Sequence, residues 1–356
     1  MTGDLSGRHQ EGVAWADLAI AGGQRVSPAD AYLRPVLHRP NLTVRGGCLA
    51  TRLHLRNGRC TGVSYLRGGT PGQARTAGEV IVCAGAVGSP QLLLLSGIGP
   101  AAELRALGID PAADLPGVGA NLQDHPIAMT CYSVASPLPR SKYNHGEVYA
   151  ALRSPLAGAC PDLHLFPILL PSAPPRYPAP QDGFALVAAA VAPDSTGTVR
   201  LASADPQAAP LVDPGLLRDG RDLDRLEAGL AIIRHAAASA AFPPAAQMWP
   251  GAGARTPAGM RAWIRRTAGS YYHPAGTCQM GTGPGAVTDL ELRVRGISGL
   301  RVADASVIPV IPNAHPNATV LAIAERAAAL ITGPPSAPGP PSAPGPPAAP
   351  HSTRKE

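Results

Sequence analysis

The stretch EVIVCAGAVGSPQLLLLSGIGP, residues 79–100, sets the fold class. Glu79, Val80, Ile81, Val82 and Cys83 make a short, mostly apolar run that stops at the small residues Ala84, Gly85 and Ala86. A run of that length bounded by turn residues reads as a buried strand followed by a tight turn. Ser89 then offers a side-chain cap and Pro90 a φ preset for a first helical turn, so a helix is expected over 91–95. Just beyond, Gly97, Ile98, Gly99 and Ala102 imitate a dinucleotide-binding fingerprint. Pro100 stands where backbone amides would have to cradle a pyrophosphate, and the preceding leucines follow a helix-opening Ser-Pro rather than a strand, so the imitation is set aside.

Upstream, Leu49, Thr51, Leu53 and Leu55 alternate on one face, Asn57-Gly58 supplies a type I′ turn, and 60–66 returns as the second strand of a hairpin. A polar link leads from there to residue 79. Downstream, between 126 and 267, prolines are frequent and strands are expected at 183–192 and 197–202, the pattern of a second, sheet-containing domain. A helix with Asp222 as N-cap carries Leu223, Leu226, Leu230 and Ile233 at helical spacing, an apolar face for that sheet. Residues 300–306 form a strand that ends in Asp304, and a loop then runs to Asn313, Ala314, His315 and Pro316. Asn317 is placed as the N-cap of a last helix, with Val320, Ile323, Ala327 and Ile331 as its apolar stripe. From Gly333 the chain repeats GPPSAP, a composition that forms no packed core and is expected to be disordered.

Composition narrows the class. With 45% hydrophobic and 15% charged residues, the 356-residue chain is globular and long enough for one large domain or two. Thirty Lys and Arg against 24 Asp and Glu give a net charge of +6, yet only Lys142 and Lys355 are lysines and the arginines are scattered, which makes no nucleic-acid patch. Cys48, Cys60, Cys83, Cys131, Cys160 and Cys278 form no CxxC pair and no dense disulfide framework, so no metal site is expected and reduced thiols in the cytoplasm fit. The start, MTGDLSGRHQEG, has no signal-peptide pattern, and no apolar run approaches membrane-spanning length.

The chemistry concentrates in SYYHPAGTCQMG, residues 270–281. His273 is followed by Pro274, Ala275, Gly276 and Thr277, so the backbone turns tightly and leaves little bulk around the imidazole. His315 sits in a second Pro-flanked loop just before a helix N-terminus, where free amides and the positive dipole end favour a developing negative charge. Two such histidines suit a general base and a hydrogen-bonding partner for an alcohol or carbonyl. A solvated or core-packed His273 and a surface-capping Asp304 are the plainer alternatives.

Four motifs in order carry a family resemblance: CAGAVGSPQLLLLSGIGP (83–100), LPGVGANLQDHP (115–126), YYHPAGTCQMG (271–281) and GLRVADASVIPVIPNAHPNAT (299–319). Together they resemble the glucose-methanol-choline flavoprotein oxidoreductases, near the choline dehydrogenase-like branch, over about residues 10–332. The resemblance implies a mixed α/β fold: a partial FAD/NAD(P)-binding, Rossmann-like domain plus an antiparallel-sheet substrate-binding domain. In that division 1–125 is the remaining part of the FAD-binding domain, 126–271 the substrate-binding domain, 272–332 the return carrying the catalytic loops, and 333–356 the tail. The implied activity is FAD-dependent oxidation of the CH–OH group of a small-molecule alcohol, a base taking the hydroxyl proton while hydride passes to flavin N5. His273 matches the family's active-site histidine and His315 its second catalytic position. Ala84, Gly85, Ser89, Ala303, Asp304, Pro316, Asn317 and Ala318 match segments lining the FAD. Asn121, Asp124 and His125 belong to a motif whose expected role is structural.

One family feature is missing, the strand, GxGxxG turn and helix that bind the ADP half of FAD. The chain is therefore expected to be N-terminally truncated, with an ADP-binding half supplied by another polypeptide or absent from the gene model. Two other readings stay open, an inactive remnant and a flavin-containing hydroxynitrile lyase-like enzyme.

Overall fold

The computed structural model describes residue 5 and residues 7–139, 144–239 and 242–333. The 79–100 stretch forms the strand Val80–Val82 and the helix Gly85–Leu95. Val80–Val82 pairs in parallel with Leu300–Val302, so the two segments that carry the cofactor-side motifs lie side by side. Leu92, Leu93, Leu94 and Leu95 pack with Ile98, Leu104, Leu300 and Val302 in one buried core.

That helix begins at Gly85, ahead of the expected start, and places Ser89 and Pro90 inside it. The cause is tertiary. Asp304 accepts the Gly85 N–H at 2.9 Å and the Ser89 hydroxyl at 2.5 Å, while Ser89 Oγ accepts the Ala84 N–H at 3.0 Å. A carboxylate at a helix start satisfies first-turn donors and complements the dipole, which no local sequence signal reveals. Pro90 lacks the N–H that would have bonded the Ala86 carbonyl four residues back. The Thr277 hydroxyl donates to that carbonyl at 2.6 Å instead. Gly97, at φ 81°, ends the helix, its N–H bonded to the Leu94 carbonyl at 3.0 Å, so it opens no phosphate loop.

The expected hairpin forms from Cys48–Arg56 and Arg59–Arg67, with Asn57 and Gly58 both at positive φ. A third strand, Thr70–Arg75, pairs with Arg59–Arg67 where the sequence suggests only a polar link. Its TPGQAR has no apolar alternation because it is an exposed edge strand, a position that tolerates Pro71.

The second sheet is antiparallel and seven-stranded. Its order is Gly12–Trp15, Val148–Leu152, Leu163–Ile168, Gly183–Ala190, Pro126–Val134 and Ala245–Trp249, with Gly269–Ser270 also paired to Pro126–Val134. The first strand comes from the segment grouped by sequence with the cofactor domain. The helix Gly220–Ala237 lays Leu223, Leu226, Leu230 and Ile233 on Leu165, Phe184, Leu186 and Ala188. Its cap is Asp219, which accepts the Arg221 N–H, and not Asp222. Asp222 faces inward, where its carboxylate takes the N–H groups of Asp194 and Ser195 and the Arg225 guanidinium.

The last helix is Asn317–Thr332, capped by Pro316 with no side-chain bond, so Asn317 is its first residue rather than its cap. Val320 and Ile323 pack on Ala275, Ile308 and Ile311, Ala327 is buried, and Ile331 stays exposed. The proline-rich tail lies outside the described residues beyond Gly333. Among the described residues no helix is long and apolar enough to cross a membrane.

Thr277→Val leaves the Ala86 carbonyl without a partner and is expected to lower stability by about 1–3 kcal/mol, read from urea unfolding. Pro90→Ala returns an N–H to that carbonyl, so it should recover part of the loss in the Thr277→Val background. No recovery would show that Thr277 acts elsewhere.

Candidate active site

Two segments on either side of the sheet's Pro126 end make the site. Gln123 and Ala275 exchange both backbone hydrogen bonds at 2.9 Å, Tyr271 N–H donates to the His125 carbonyl at 2.9 Å, and Pro126 pairs with Ser270. Asp124 ties the seam from its side chain, accepting the His273 N–H at 3.0 Å and the Ser270 hydroxyl. Gly276, at φ 94°, is required, since a Cβ there would lie 2.4 Å from the Asn121 carbonyl oxygen. The Gln123 amide reaches a third segment, the loop after Val307, donating to the Pro309 carbonyl at 3.0 Å and accepting the Ile311 N–H at 3.1 Å. It thereby anchors the loop that carries His315.

These constraints bring four imidazoles together. His273 Nδ1 lies 2.9 Å from Nδ1 of the fully buried His125. The His273 and His315 rings stand nearly perpendicular at 5.4 Å, and the His164 ring is also 5.4 Å from that of His315. Tyr271 stacks on Phe166 at 5.0 Å, and its hydroxyl lies 2.9 Å from His315 Nε2. Burial, and then the charge on neighbouring His315, pushes His273 down to about 4. Burial first and the neighbouring histidines second push His125 and His164 each down to about 3. Partial desolvation lowers His315, which stays exposed as a residue, and burial raises the Tyr271 phenol. The cluster is therefore neutral at physiological pH, and Tyr271 keeps its proton.

The residues expected from the sequence to line a cofactor group around the Val80–Val82 and Leu300–Val302 pair. Gly85, Ser89 and Asp304 are joined by the bonds described above, and Asp304 also takes the Ser306 N–H at 2.8 Å. Ala303 N–H donates to the Val82 carbonyl at 2.9 Å, and Ala84 is exposed at the strand's end. Gly276 and Cys278 N–H groups donate to the Ala305 and Ser306 carbonyls, which fastens the His273 loop to this group. Pro316 is buried, while Asn317 and Ala318 are exposed at a helix start with no side-chain cap. Asp304 is thus committed to protein donors and organises the layer from inside.

The structure places His273 and His315, the two loop histidines singled out in the sequence, with their rings 5.4 Å apart, and surrounds them with side chains the sequence does not point to. His125, expected to be structural, touches His273 directly. His164, Tyr149 and Tyr271 were not singled out. His164 had a faint signal, a polar ring at an inward position of the apolar strand Leu163–Ile168.

Family models described as GMC oxidoreductase match residues 1–127 and 193–324. The mitochondrial choline dehydrogenase of Homo sapiens is 35% identical over 94% of this chain and 61% of its own length. An alcohol dehydrogenase (acceptor) of Pseudomonas putida is 37% identical over 92% of this chain and 65% of its own. The crystal structure of pyridoxine 4-oxidase from Mesorbium loti superposes with a TM-score of 0.84 at 33% identity, over 89% of this chain and 64% of that one. The chain spans less than two thirds of the length of each of these relatives.

Histidines held neutral by the fold take up protons more readily once unfolded, so stability is full above the ordinary histidine value of 6.5 and is lost as pH falls toward 4 and 3. The melting temperature should therefore drop over that window, and His164→Leu should make the drop shallower. An equally steep drop in the variant would contradict a buried neutral His164.

Proposed function

The chain belongs to the GMC oxidoreductase family, and from that premise we propose that it carries the substrate-side and proton-handling part of an FAD-dependent oxidoreductase acting on the CH–OH group of an alcohol. The observation that carries this is a desolvated His273 hydrogen-bonded to His125 and facing His315 at the head of an uncapped helix.

A neutral imidazole holds one ring hydrogen, and a bond between two Nδ1 atoms requires it to lie between them. With His273 Nδ1 as the donor and His125 Nδ1 as the acceptor of this bond, His273 Nε2 is left bare. That atom takes the hydroxyl proton of the alcohol. Tyr271, with its phenol proton retained, donates to His315 Nε2, which leaves His315 Nδ1–H to hold the substrate oxygen.

The residues present fit the flavin-ring end of the cofactor. The uncapped first turn at Asn317 and Ala318 offers amides and a positive dipole end to a negative ring. Ser306 Oγ is buried beside Asp304, close to the Cys278 thiol. Ala84, Gly85, Ser89, Ala303 and Pro316 would line the rest, with Asp304 holding their backbone in place. Among the described residues no strand, GxGxxG turn and helix forms a cradle for the nucleotide end. FAD, when bound, supplies the acceptor for the hydride that leaves the carbinol carbon.

Rapid mixing of FAD-loaded protein with an alcohol under anaerobic conditions tests this. His273→Gln should slow bleaching of the flavin absorbance by about 10²–10⁴-fold with FAD still bound. The wild-type rate should be flat from pH 8 to about 5 and fall only toward the His273 value of about 4. Wild-type bleaching by His273→Gln would overturn the base assignment, and turnover of a cyanohydrin without bleaching would favour a lyase.

A further inference from the structure

The loop that carries His315 is held at both ends and tied between them. Ile311 donates its N–H to the Gln123 side chain, and Pro316 is buried at the start of the last helix. Between these points Pro312 and Asn313 are half-buried, while Ala314 and His315 are exposed. Asn313 supplies the tie, its side-chain amide donating to the Pro161 carbonyl at 2.9 Å. Pro161 lies just before the strand Leu163–Ile168, so this bond crosses from the loop to the seven-stranded sheet. On the sheet side His164 is three residues past Pro161, and on the loop side His315 is two residues past Asn313. The bond therefore bears on two histidines at once, whose rings lie 5.4 Å apart.

The acceptor is a fixed point. Pro161 is buried, and its ring locks its own φ. Its neighbour Asp162 is bonded through the backbone on both sides, donating to the Leu152 carbonyl at 3.1 Å and accepting the Val191 N–H at 2.8 Å. The Asp162 carboxylate accepts the Ser154 N–H at 2.7 Å, the Ser154 hydroxyl at 2.6 Å and the Arg225 Nε–H at 3.1 Å. Arg225 also donates to Asp222 at 2.9 Å and to Asp194 at 2.5 Å. Arg225, Asp162 and Asp222 are only 4%, 2% and 0% exposed. Charges buried this deeply cannot give up a partner without leaving another uncompensated, so the cluster resists displacement. An exposed imidazole has no such restraint of its own and keeps its rotamer freedom unless something removes it. Asn313 connects the rigid cluster to the free ring.

Building on the reading of His315 as the group that holds the substrate oxygen, we infer that Asn313 is the positioning residue for His315, its bond to the Pro161 carbonyl keeping that ring aimed at Tyr271 and His273. The Tyr271 hydroxyl lies 2.9 Å from His315 Nε2, and the His273 ring stands at 81° to that of His315. Tyr271 is itself fixed to the same strand by its stack on Phe166. Both partners of the Tyr271–His315 contact are thus referred to one strand, His315 through Asn313 and Tyr271 through Phe166. A hydrogen bond weakens steeply as its angle opens, so a swing of the loop is enough to lose it. His273 does not depend on Asn313, because Asp124 accepts its N–H and the pairing of Gln123 with Ala275 holds its loop.

The test reads the ring itself, so it is separate from whether any alcohol is oxidised. Histidine ¹⁵N spectra of the full chain are recorded at neutral pH, with His315 identified as the resonance lost in His315→Gln. Tyr271→Phe supplies the reference position of His315 Nε2 without its donor. Asn313→Ala should move the His315 Nε2 resonance at least halfway to that reference and leave the His273 resonances nearly where they are. Asn313→Leu, which keeps the volume and loses the donor, should give the same displacement, and this separates the lost bond from a lost contact. A His315 resonance that stays still in both variants, or His273 resonances that move as far as those of His315, would overturn the inference, the second by showing a general loosening of the site. In FAD-loaded protein, Asn313→Ala should slow flavin bleaching by about 10–10²-fold, the scale of a misplacement of about 1 Å. A displaced His315 with bleaching at the wild-type rate would support the positioning inference and count against the assignment of His315 to the substrate oxygen.

Discussion

The site depends on a backbone seam. Residues 119–127 and 269–277 run antiparallel, with Gly119 donating to the Thr277 carbonyl, Gln123 and Ala275 bonded in both directions, and Tyr271 bonded to His125. Because the pairing is fixed at several points, a slip of either segment would break all of them at once. The seam therefore decides which side chains meet. It sets His125 under His273, gives Asp124 the His273 N–H, and leaves Thr277 against the helix whose ladder Pro90 interrupts. Stability of the Gly85–Leu95 helix and placement of the central imidazole thus draw on the same few residues.

Desolvation is the second constraint. Four histidines and two tyrosines packed between a sheet and a loop cannot all hold charge: each buried imidazole loses basicity through its own desolvation, and a charge on one repels a charge on its neighbours. The fold gives up acid stability in holding these imidazoles unprotonated at neutral pH. The carboxylates that would otherwise raise those imidazoles are tied to hydroxyls, amides and Arg225.

Much of this architecture was legible in the sequence, and the gaps have physical causes. The strand at 80–82, the Asn57-Gly58 turn and the amphipathic helix carrying Leu223 to Ile233 follow from local pattern, because their neighbours in sequence are their neighbours in space. The helix start at Gly85 and the inward Asp222 were misplaced because both depend on partners far along the chain, Asp304 in one case and Asp194, Ser195 and Arg225 in the other. His273 and His315 stood out through their loop chemistry. His125 and His164 did not, since each is an ordinary buried residue until the fold brings it to the other two. Strand 70–75 had no apolar alternation to reveal it.

The central claim is that His273 is neutral, with its hydrogen directed at His125 and Nε2 free to accept. Long-range ¹H–¹⁵N correlation spectra of histidine-labelled protein, recorded from pH 8 to 3.5, test it directly. The account predicts a His273 ring protonated on Nδ1 alone, unchanged until pH approaches about 4. A ring carrying its hydrogen on Nε2, or one that titrates near the ordinary value of 6.5, would contradict it.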